Sequence, residues 1–468
     1  MQEPNEKTTK TWVLALASVA SLMVFLDAMV VTTALSTIRQ DLGTSMEALE
    51  WTVNAYNLSF AVLLLTGAAL GDSLGRRRMI AAGLTLFVAA SAACALSTSV
   101  GWLIAARAVQ GVGAALVIPL AMTLLGAAFP REERGKALGI YSSVSGLALI
   151  AGPTVGGAIA EGLAWQWIFW INIPIGAVVI PLVLKRIPES FGPRARLDIP
   201  GIALVTGAAL GVVWGLMRGN AAGWTSLEVI ASLVAGLVLA AAFVGFELGT
   251  REPMVPMRLF RSRAFSAGIA ASFLFYASMY GVLFFLPQFL QVAQGHAPLG
   301  TGLRLLTWTA TLLVFAPIGG TLVNRLGEKP LVVGGVLLQA IGFGWIAAIA
   351  APDLAYVQLI APLILAGGGV SMAMPAAQNA ILGAVAPTEV GKASGTFNML
   401  RFLGAVFGIA VVVAVFAAGG SVASPQAFSA GFVPALGVCA GLSLLAALAG
   451  LWLPGRRAVA LVPAAAKA

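Results

Sequence analysis

The chain has 468 residues, of which 59% are hydrophobic and only 10% are charged. A soluble domain of this length could not bury so much apolar surface, so we expect a lipid bilayer to be its solvent. The net charge of +9 does not indicate nucleic-acid binding, because the basic residues lie in short loops between apolar segments rather than on one face.

Apolar segments that are long enough to cross a bilayer, at about 20 residues each, recur along the whole chain. We predict fourteen spans, joined by short connections that make neighbours in sequence antiparallel. The predicted spans are 12–36, 52–71, 79–98, 101–127, 137–160, 167–184, 199–217, 227–247, 265–291, 302–323, 331–350, 354–380, 395–418 and 429–453.

The distribution of basic residues supports this number of spans. With both termini in the cytoplasm, all but five of the 27 basic residues fall in cytoplasmic loops or tails, as the positive-inside rule requires. The five exceptions are Arg39, Arg107, Arg218, Arg304 and Arg401. An odd number of spans would destroy this asymmetry, so we predict that both termini are cytoplasmic.

Span 1 and span 4 each contain a lone charge. Asp27 lies in VFLDAMVVTTALSTI and is the acidic residue that the prediction places near the middle of a span; Arg107 lies at the centre of LIAARAVQGVGAALVIP. A central arginine costs roughly 2.5–3.5 kcal/mol on insertion scales, so we expect it to face a partner or a wet cavity. A carboxylate beside it can exchange a proton as its surroundings change. Asp27 and Arg107 therefore form either a proton-coupling pair or a purely structural ion pair.

Two further segments are unusual for membrane helices and their loops. The loop from Gly71 to Arg78 combines glycines for a tight turn with three arginines and Asp72, which can accept hydrogen bonds at a helix end. Span 5 contains AGPTVGG, 151–157, in which a proline and three glycines favour bending and close helix contact. Ordinary small-residue packing is the alternative explanation for the second segment.

The chain also contains an internal repeat. The segment that begins at Glu133, ERGKALG, returns as EVGKASG from Glu389, and at the same offset of 256 residues the Gly-x-Gly of span 4 returns in span 12. A glycine of the loop between spans 2 and 3 returns between spans 10 and 11 at an offset of 252. We therefore predict two homologous six-helix halves, residues 1–190 and 261–455, with a helical hairpin inserted at 191–260 and a cytoplasmic tail at 456–468.

Arg401 in span 13 interrupts the repeat, because the equivalent position of the first half is Ser145. One interpretation is a contact with substrate or with a helix end. The interpretation that we favour from the sequence is an arginine that extends its side chain to the membrane interface.

The motifs together resemble the major facilitator superfamily, and specifically its fourteen-helix drug:proton antiporter branch. ALGDSLGRRRMI is similar to the signature between helices 2 and 3, LIAARAVQGVGAA to the helix 4 signature, AGPTVGG to the antiporter signature of helix 5, and WQWIFWINIPIG to the entry of helix 6. LDAMVVTTALSTI resembles the branch signature of helix 1 at Asp27, and departs from it at Met29, Thr32 and Ser36. These departures concern substrate identity more than fold.

The resemblance implies roles for individual residues. Asp27 and Arg107 would take part in proton transfer. A cytoplasmic latch that stabilises the outward-open state would contain Asp72, Gly75, Arg76 and Arg77. The helix 5 interface that rocks and seals the protein against leak would contain Gly152, Pro153, Gly156 and Gly157. The family cavity is lined by the first and fourth helices of each half, where the candidates for substrate contact are Tyr276, Tyr280, Phe284, Met372 and Met374.

We therefore expect an all-α integral membrane protein with the major-facilitator fold, which exports amphipathic drugs, antibiotics or secondary metabolites from bacteria in exchange for protons. It would be a monomer in the bacterial plasma membrane, with the proton gradient as its energy source and no cofactor. A lipid or lysolipid transporter on the same fold is the alternative, and a membrane receptor is a more distant one. The sequence has no GxxxxGK[ST] loop for ATP, and its one histidine and two separated cysteines favour neither an enzyme nor a metal site.

Overall fold

The computed structural model describes residues 6–192, 197–386 and 389–455. Among those residues, fourteen helices are long and apolar enough to cross a membrane, which confirms the predicted number of spans. The predicted tail at 456–468 lies outside the described residues. In chain order, α1 to α14 are Thr8–Asp41, Met46–Leu74, Arg76–Ala95, Val100–Ala128, Lys136–Gly162, Trp167–Arg186, Ile199–Ala222, Leu227–Gly249, Arg263–Ala293, Pro298–Val323, Glu328–Ile349, Tyr356–Gly383, Val390–Gly419 and Pro425–Gly450.

Several helices begin directly after a serine that caps them. The hydroxyl of Ser45 accepts a hydrogen bond from the backbone of Ala48, and Ser99 does the same for Trp102. Equivalent caps start α8, α9 and α14. Such a cap satisfies a backbone N–H that has no partner within the helix, which matters near a bilayer where water is scarce.

The junctions α2–α3 and α10–α11 each contain a glycine with a positive φ. Gly75 has φ 106° and Gly327 has φ 85°. Residues that carry a side chain rarely adopt such backbone angles. The two glycines are the pair that the 252-residue offset of the repeat aligns, so the repeated sequence corresponds to a repeated turn.

Helices α1–α6 and α9–α14 pack in the same pattern. In the first set, α1 packs on α4 and α5, α2 on α4, and α3 on α4 and α6. In the second set, α9 packs on α12 and α13, α10 on α12, and α11 on α12 and α14. The main contacts between the sets are α2 with α13 and α5 with α10, and α1 meets α9 between them. Each set therefore contributes its first, second and fifth helices to a seam that surrounds the centre of the protein.

Helices α7 and α8 form a hairpin on the outside of this seam. Helix α7 packs against α13 and α2, through an apolar cluster to which α7 contributes Val205, Val213 and Met217. Helix α8 packs mainly on α7, and its side chains Leu227, Leu237 and Leu248 are exposed, as lipid-facing residues would be.

Candidate functional site

Asp27 of α1 and Arg107 of α4 are in direct contact in the core of the first helix set. The Nη1 atom of Arg107 lies 2.5 Å from Oδ2 of Asp27. Asp27 is 3% exposed and Arg107 is 1% exposed. A buried charge is tolerable when it is paired and hydrogen-bonded, and this pair has both features. The predicted proximity of the two charges is therefore present in the structure, although their role in proton transfer stays a prediction.

The second oxygen of Asp27 is held by two amides. Nε2 of Gln110 and Nδ2 of Asn172 each donate to Oδ1 of Asp27 at 2.9 Å. The carbonyl of Gln110 in turn accepts from Nη1 of Arg107 at 2.7 Å. Because three donors converge on one carboxylate, the ionised form of Asp27 is strongly solvated by the protein itself.

Further contacts fix the orientation of Arg107. Its Nε donates to the backbone carbonyl of Thr52 at 3.1 Å, and its guanidinium carbon lies 4.2 Å from the centre of the Tyr56 ring. The Phe169 ring lies on another side at 5.8 Å. Stacking on an aromatic face stabilises a cation without adding a second negative charge. The network therefore draws on α1, α2, α4 and α6.

Sequence reasoning missed several members of this network. Asn172 is 1% exposed and also donates from Nδ2 to Ser91 of α3 at 2.9 Å, but neither residue was predicted as a site residue. Gln110 was noticed only as part of a signature. A sequence signal for Asn172 did exist, because an amide in the otherwise apolar WINIPIG of α6 needs an internal partner in lipid.

A narrow cleft separates this network from the second helix set. Arg107, Tyr56 and Asn57 line it on one side, and Tyr280, Phe284 and Ile409 of α9 and α13 line it on the other. Its volume of about 10 Å³ is the space of roughly one water molecule. The ion pair therefore lies beside the interface of the two helix sets, where a change in the packing of the sets would alter its surroundings.

The candidates for substrate contact divide into two groups. Tyr280 and Phe284 line the cleft, and Tyr276 is buried nearby on the same helix. Met372 and Met374 are not among the residues that line the cleft, and the backbone of Met372 lies against Gly319 of α10. Most residues of α12 are apolar, so the sequence could not distinguish the face that lines the cleft from the face that packs on other helices.

Arg401 does not extend to the membrane interface, which was the favoured expectation from the sequence. Its guanidinium carbon lies 4.4 Å from the centre of the Tyr276 ring and 5.2 Å from that of Phe402. Arg401 is the twelfth residue of α13, which places its backbone about 16 Å along the helix axis at 1.5 Å per residue. Two aromatic faces hold the side chain within the bundle.

The four predicted latch residues meet at the α2–α3 turn, together with an acidic residue that the sequence analysis missed. Arg76 contacts Oδ1 of Asp72 through Nη2 at 2.7 Å. The backbone N–H of Arg77 donates to Glu189 at 2.9 Å, and a Cβ on Gly75 would lie 2.8 Å from the Glu189 carboxyl carbon. Glu189 belongs to the segment after α6, so these contacts remain next to the first helix set. Their role as a latch between halves stays a prediction.

The helix 5 motif lies where three helices approach closely. Gly152 and Gly156 pack on α1 at Met29 and Val30, directly after Asp27 in sequence. Gly157 packs on the backbone of Pro298, and the backbone of Pro153 faces Gly302 of the same helix, α10. Any side chain at Gly156 or Gly157 would overlap backbone atoms, so glycine is required for this approach. Helix α5 therefore connects the segment beside Asp27 to the second helix set.

Two hydrogen bonds join the helix sets at one end of the bundle. Leu299 donates its backbone N–H to Glu161 at 2.9 Å, and Nε2 of Gln291 donates to the carbonyl of Thr33 at 2.8 Å. These contacts lie at the end of the bundle where α1 and α5 finish, opposite the start of α1.

Two similarly packed helix sets, with a buried ion pair at the cleft between them, define a membrane transport protein. The sequence model of the Major Facilitator Superfamily matches residues 17–408, and a second match covers 268–468. The chain belongs to the Major Facilitator Superfamily.

Several bacterial relatives are named for drug resistance or for export. The chain is 34% identical over 398 residues to the multidrug resistance protein Stp of Mycobacterium tuberculosis, covering 85% of this chain and 74% of that protein. It is 35% identical to the tetracenomycin C resistance and export protein of Streptomyces glaucescens, covering 86% and 75%. It is also 35% identical to the cephamycin export protein CmcT of Amycolatopsis lactamdurans, covering 89% and 87%.

Solved structures of more distant members share the fold. A crystal structure of the peptide transporter POT with sulfate superposes with a TM-score of 0.71 at 16% identity, covering 96% of this chain and 98% of that one. A D-xylose-proton symporter superposes with a TM-score of 0.67, also at 16% identity, covering 95% and 98%. Fourteen apolar helices and the bacterial relatives together indicate a multi-pass protein of the bacterial inner membrane.

Proposed function

We propose that the protein is a proton-driven exporter of amphipathic drugs, antibiotics or secondary metabolites. The observation that carries this proposal is the buried pair Asp27–Arg107 at the edge of the cleft. The names of relatives at 34–35% identity support export as the direction and drugs or antibiotics as the cargo.

The pair supports proton coupling because its two states differ in charge. In the ionised state, Asp27 compensates Arg107 and accepts both amides, from Gln110 and Asn172. A proton on Asp27 removes that compensation and leaves Arg107 as a net cation beside the cleft. A substrate that occupies the cleft changes the solvation of the same groups, so proton and substrate binding influence each other.

The contacts of α5 supply a path from Asp27 to the second helix set. Protonation loosens α1 at Asp27, and α5 packs on the next residues of α1 through Gly152 and Gly156. The opposite face of α5 packs on α10 through Gly157. We infer that the proton state of Asp27 changes the tilt between two halves, residues 1–190 and 261–455, with the hairpin of 191–260 moving beside them. A ligand shifts such an equilibrium only through its different affinity for the two tilts.

The orientation follows from the positive-inside rule, which puts both termini in the cytoplasm. The end with the Leu299–Glu161 and Gln291–Thr33 contacts then faces the outside. These contacts join the two sets at the outer end, so we expect cargo to enter from the cytoplasm or the inner leaflet, in a conformation whose cleft is wider than the space of about one water molecule present here. We propose that the protein works as a monomer without a bound cofactor.

The experiment is uphill accumulation in proteoliposomes under an imposed pH gradient, across a panel of dyes and antibiotics. We expect the wild type to accumulate some members of the panel and Asp27→Asn to accumulate none. Asp41→Asn is the matched control: it lies on the same helix and accepts a hydrogen bond from Trp165 at 2.7 Å, outside the network. Undiminished accumulation by Asp27→Asn would refute the coupling role of Asp27. No uphill accumulation by the wild type would refute proton-driven export.

A further inference from the structure

Arg401 is a cation without a carboxylate partner in the part of the chain that the structure describes. The ion pairs of that part join other residues, and the guanidinium of Arg401 lies over the rings of Tyr276 and Phe402. Its Nε is buried and has no hydrogen-bond partner. Arg107, by contrast, has a carboxylate, a carbonyl and an amide oxygen around it. Arg107 and Arg401 therefore differ in charge compensation.

A second group next to Arg401 also has no partner. Tyr276 is 1% exposed, and its buried hydroxyl oxygen has no hydrogen-bond partner among residues 6–192, 197–386 and 389–455. A buried hydroxyl in this state costs free energy unless something else bonds to it. Tyr276 and Tyr280 are four residues apart on α9, so their hydroxyls lie on the same helix face, and both interact electrostatically with Arg401.

This group borders the cleft of the proposed transport site. Tyr280 lines the cleft directly, opposite Tyr56 and Arg107. Since Asp27 neutralises Arg107, Arg401 leaves the surroundings of the cleft with a net positive charge. The other buried carboxylates are bound elsewhere: Glu50 to Asn54, and Glu247 to the backbone of Val255 beside the hairpin.

We propose that Arg401, Tyr276 and Tyr280 bind an anionic group of the cargo, so that the substrates of this protein include amphipathic organic acids. The inference rests on the proposed export function and narrows its substrate class. A guanidinium binds a carboxylate, sulfonate or phosphate oxygen pair through parallel N–H donors, and the two tyrosine hydroxyls add donors beside it. The aromatic residues around the cleft, including Phe284 and Phe402, suit the apolar body of such a molecule.

The test uses two probes of the same shape and different charge, pyrenebutyric acid and pyrenebutanol. Binding to the purified full chain in detergent is measured by energy transfer from its tryptophans, after subtraction of protein-free micelles. We expect the wild type to bind the ionised acid about tenfold more tightly than the alcohol, which corresponds to one charge-assisted contact. Equal binding of the two probes by the wild type would overturn the inference.

Variants assign the preference to Arg401. Arg401→Gln is expected to remove the preference for the acid, and Arg401→Lys to keep part of it, because the charge remains while the forked geometry is lost. Arg304→Gln is the matched control: Arg304 is also stacked on an aromatic ring, Tyr356, but donates to the carbonyl of Gly300 away from the cleft. A full preference in both Arg401 variants would overturn the inference. If Arg401→Gln does not fold, the inference is still tested by the acid preference of the wild type and by its reduction in Arg401→Lys.

The anion-binding test and the proton-driven transport test can fail independently of each other. A preference for pyrenebutyric acid that depends on Arg401, together with no pH-driven accumulation of any probe, would support the anion site and remove proton-driven export. Accumulation of uncharged or cationic dyes by the wild type, with no preference for the acid, would remove the anion site and leave proton-driven export standing.

Discussion

Removal of both partners of the buried ion pair is expected to cost much less stability than the sum of the two single removals. Arg107→Met leaves the Asp27 carboxylate buried with only the neutral amides of Gln110 and Asn172. Breaking a buried pair from one side typically costs about 3–5 kcal/mol, because an uncompensated charge stays behind. Asp27→Asn keeps an oxygen acceptor for Arg107, so we expect it near the lower end of that range.

These costs define a double-mutant cycle. With about 4 kcal/mol for Arg107→Met and about 3 kcal/mol for Asp27→Asn, independent effects would sum to about 7 kcal/mol. We expect the double variant near 4 kcal/mol, a coupling energy of about 3 kcal/mol, because it leaves no charge unpaired. The assay is reversible unfolding by sodium dodecyl sulfate in mixed micelles at fixed pH, followed by tryptophan fluorescence.

A second cycle on the same helix serves as the control. Asp41→Asn and Trp165→Phe remove a hydrogen bond from the buried Trp165 to the exposed carboxylate of Asp41 at the end of α1, for which we expect a coupling energy of about 1 kcal/mol. A coupling energy for Asp27 and Arg107 no larger than that of the control pair would refute the electrostatic reasoning, since it would mean that the central pair is solvated in another way.

Three further predictions follow from single sites. Asn172→Ala removes one of the two donors to Oδ1 of Asp27, and a hydrogen bond to a charged group is worth about 1.5–3 kcal/mol, so the initial rate of pH-driven transport is expected to fall about tenfold or more. Gly75→Ala is expected to lower the free energy of unfolding by about 1–3 kcal/mol, because its φ of 106° and the Glu189 carboxylate exclude a side chain. Burial, helped by a neighbouring arginine, lowers the pKa of His296, the single histidine, so its NMR titration is expected to have a midpoint below 6.5.

Each of these has a control or a contrary result. Transport at the wild-type rate by Asn172→Ala would mean that the amide does not support the carboxylate. Gly126→Ala is the control for the turn, because a Cβ at Gly126 meets nothing within 4 Å and lies inside a helix; an equal loss in both variants would contradict the conformational argument. A titration midpoint of His296 at or above 6.5 would mean that water reaches the ring freely.

The sequence was sufficient for the fold and for the central pair because lipid leaves few alternatives. A lone arginine at residue 107 and a lone acid at residue 27 each need a partner inside hydrocarbon, and each is the obvious partner of the other. The repeat likewise aligned Gly75 with Gly327, and both glycines have a positive φ in the structure. Both inferences depend on large local free-energy costs, of a charge in lipid and of a positive φ, that can be recognised from the sequence alone.

The neutral part of the site was harder to predict. Asn172 and Ser91 carry no charge, and uncharged polar residues are common in membrane helices, so only their convergence in space identifies them. Met372 and Met374 stay predictions as substrate contacts, because they do not line the narrow cleft of this conformation. The environment of Arg401 was misjudged for a related reason: the position along the helix was known, but the two aromatic faces that hold the guanidinium come from residues on different helices and at different sequence distances.

The central claim is that substrate and proton compete through Asp27, and proton release on binding tests it most directly. An uncharged, exported member of the panel is added to purified protein in weakly buffered detergent solution at a series of pH values, and a pH-sensitive dye records the largest release. We predict close to one proton released per substrate bound by the wild type and by Asp41→Asn, and none by Asp27→Asn. Equal release by Asp27→Asn would contradict the account, because the proton would then come from another group.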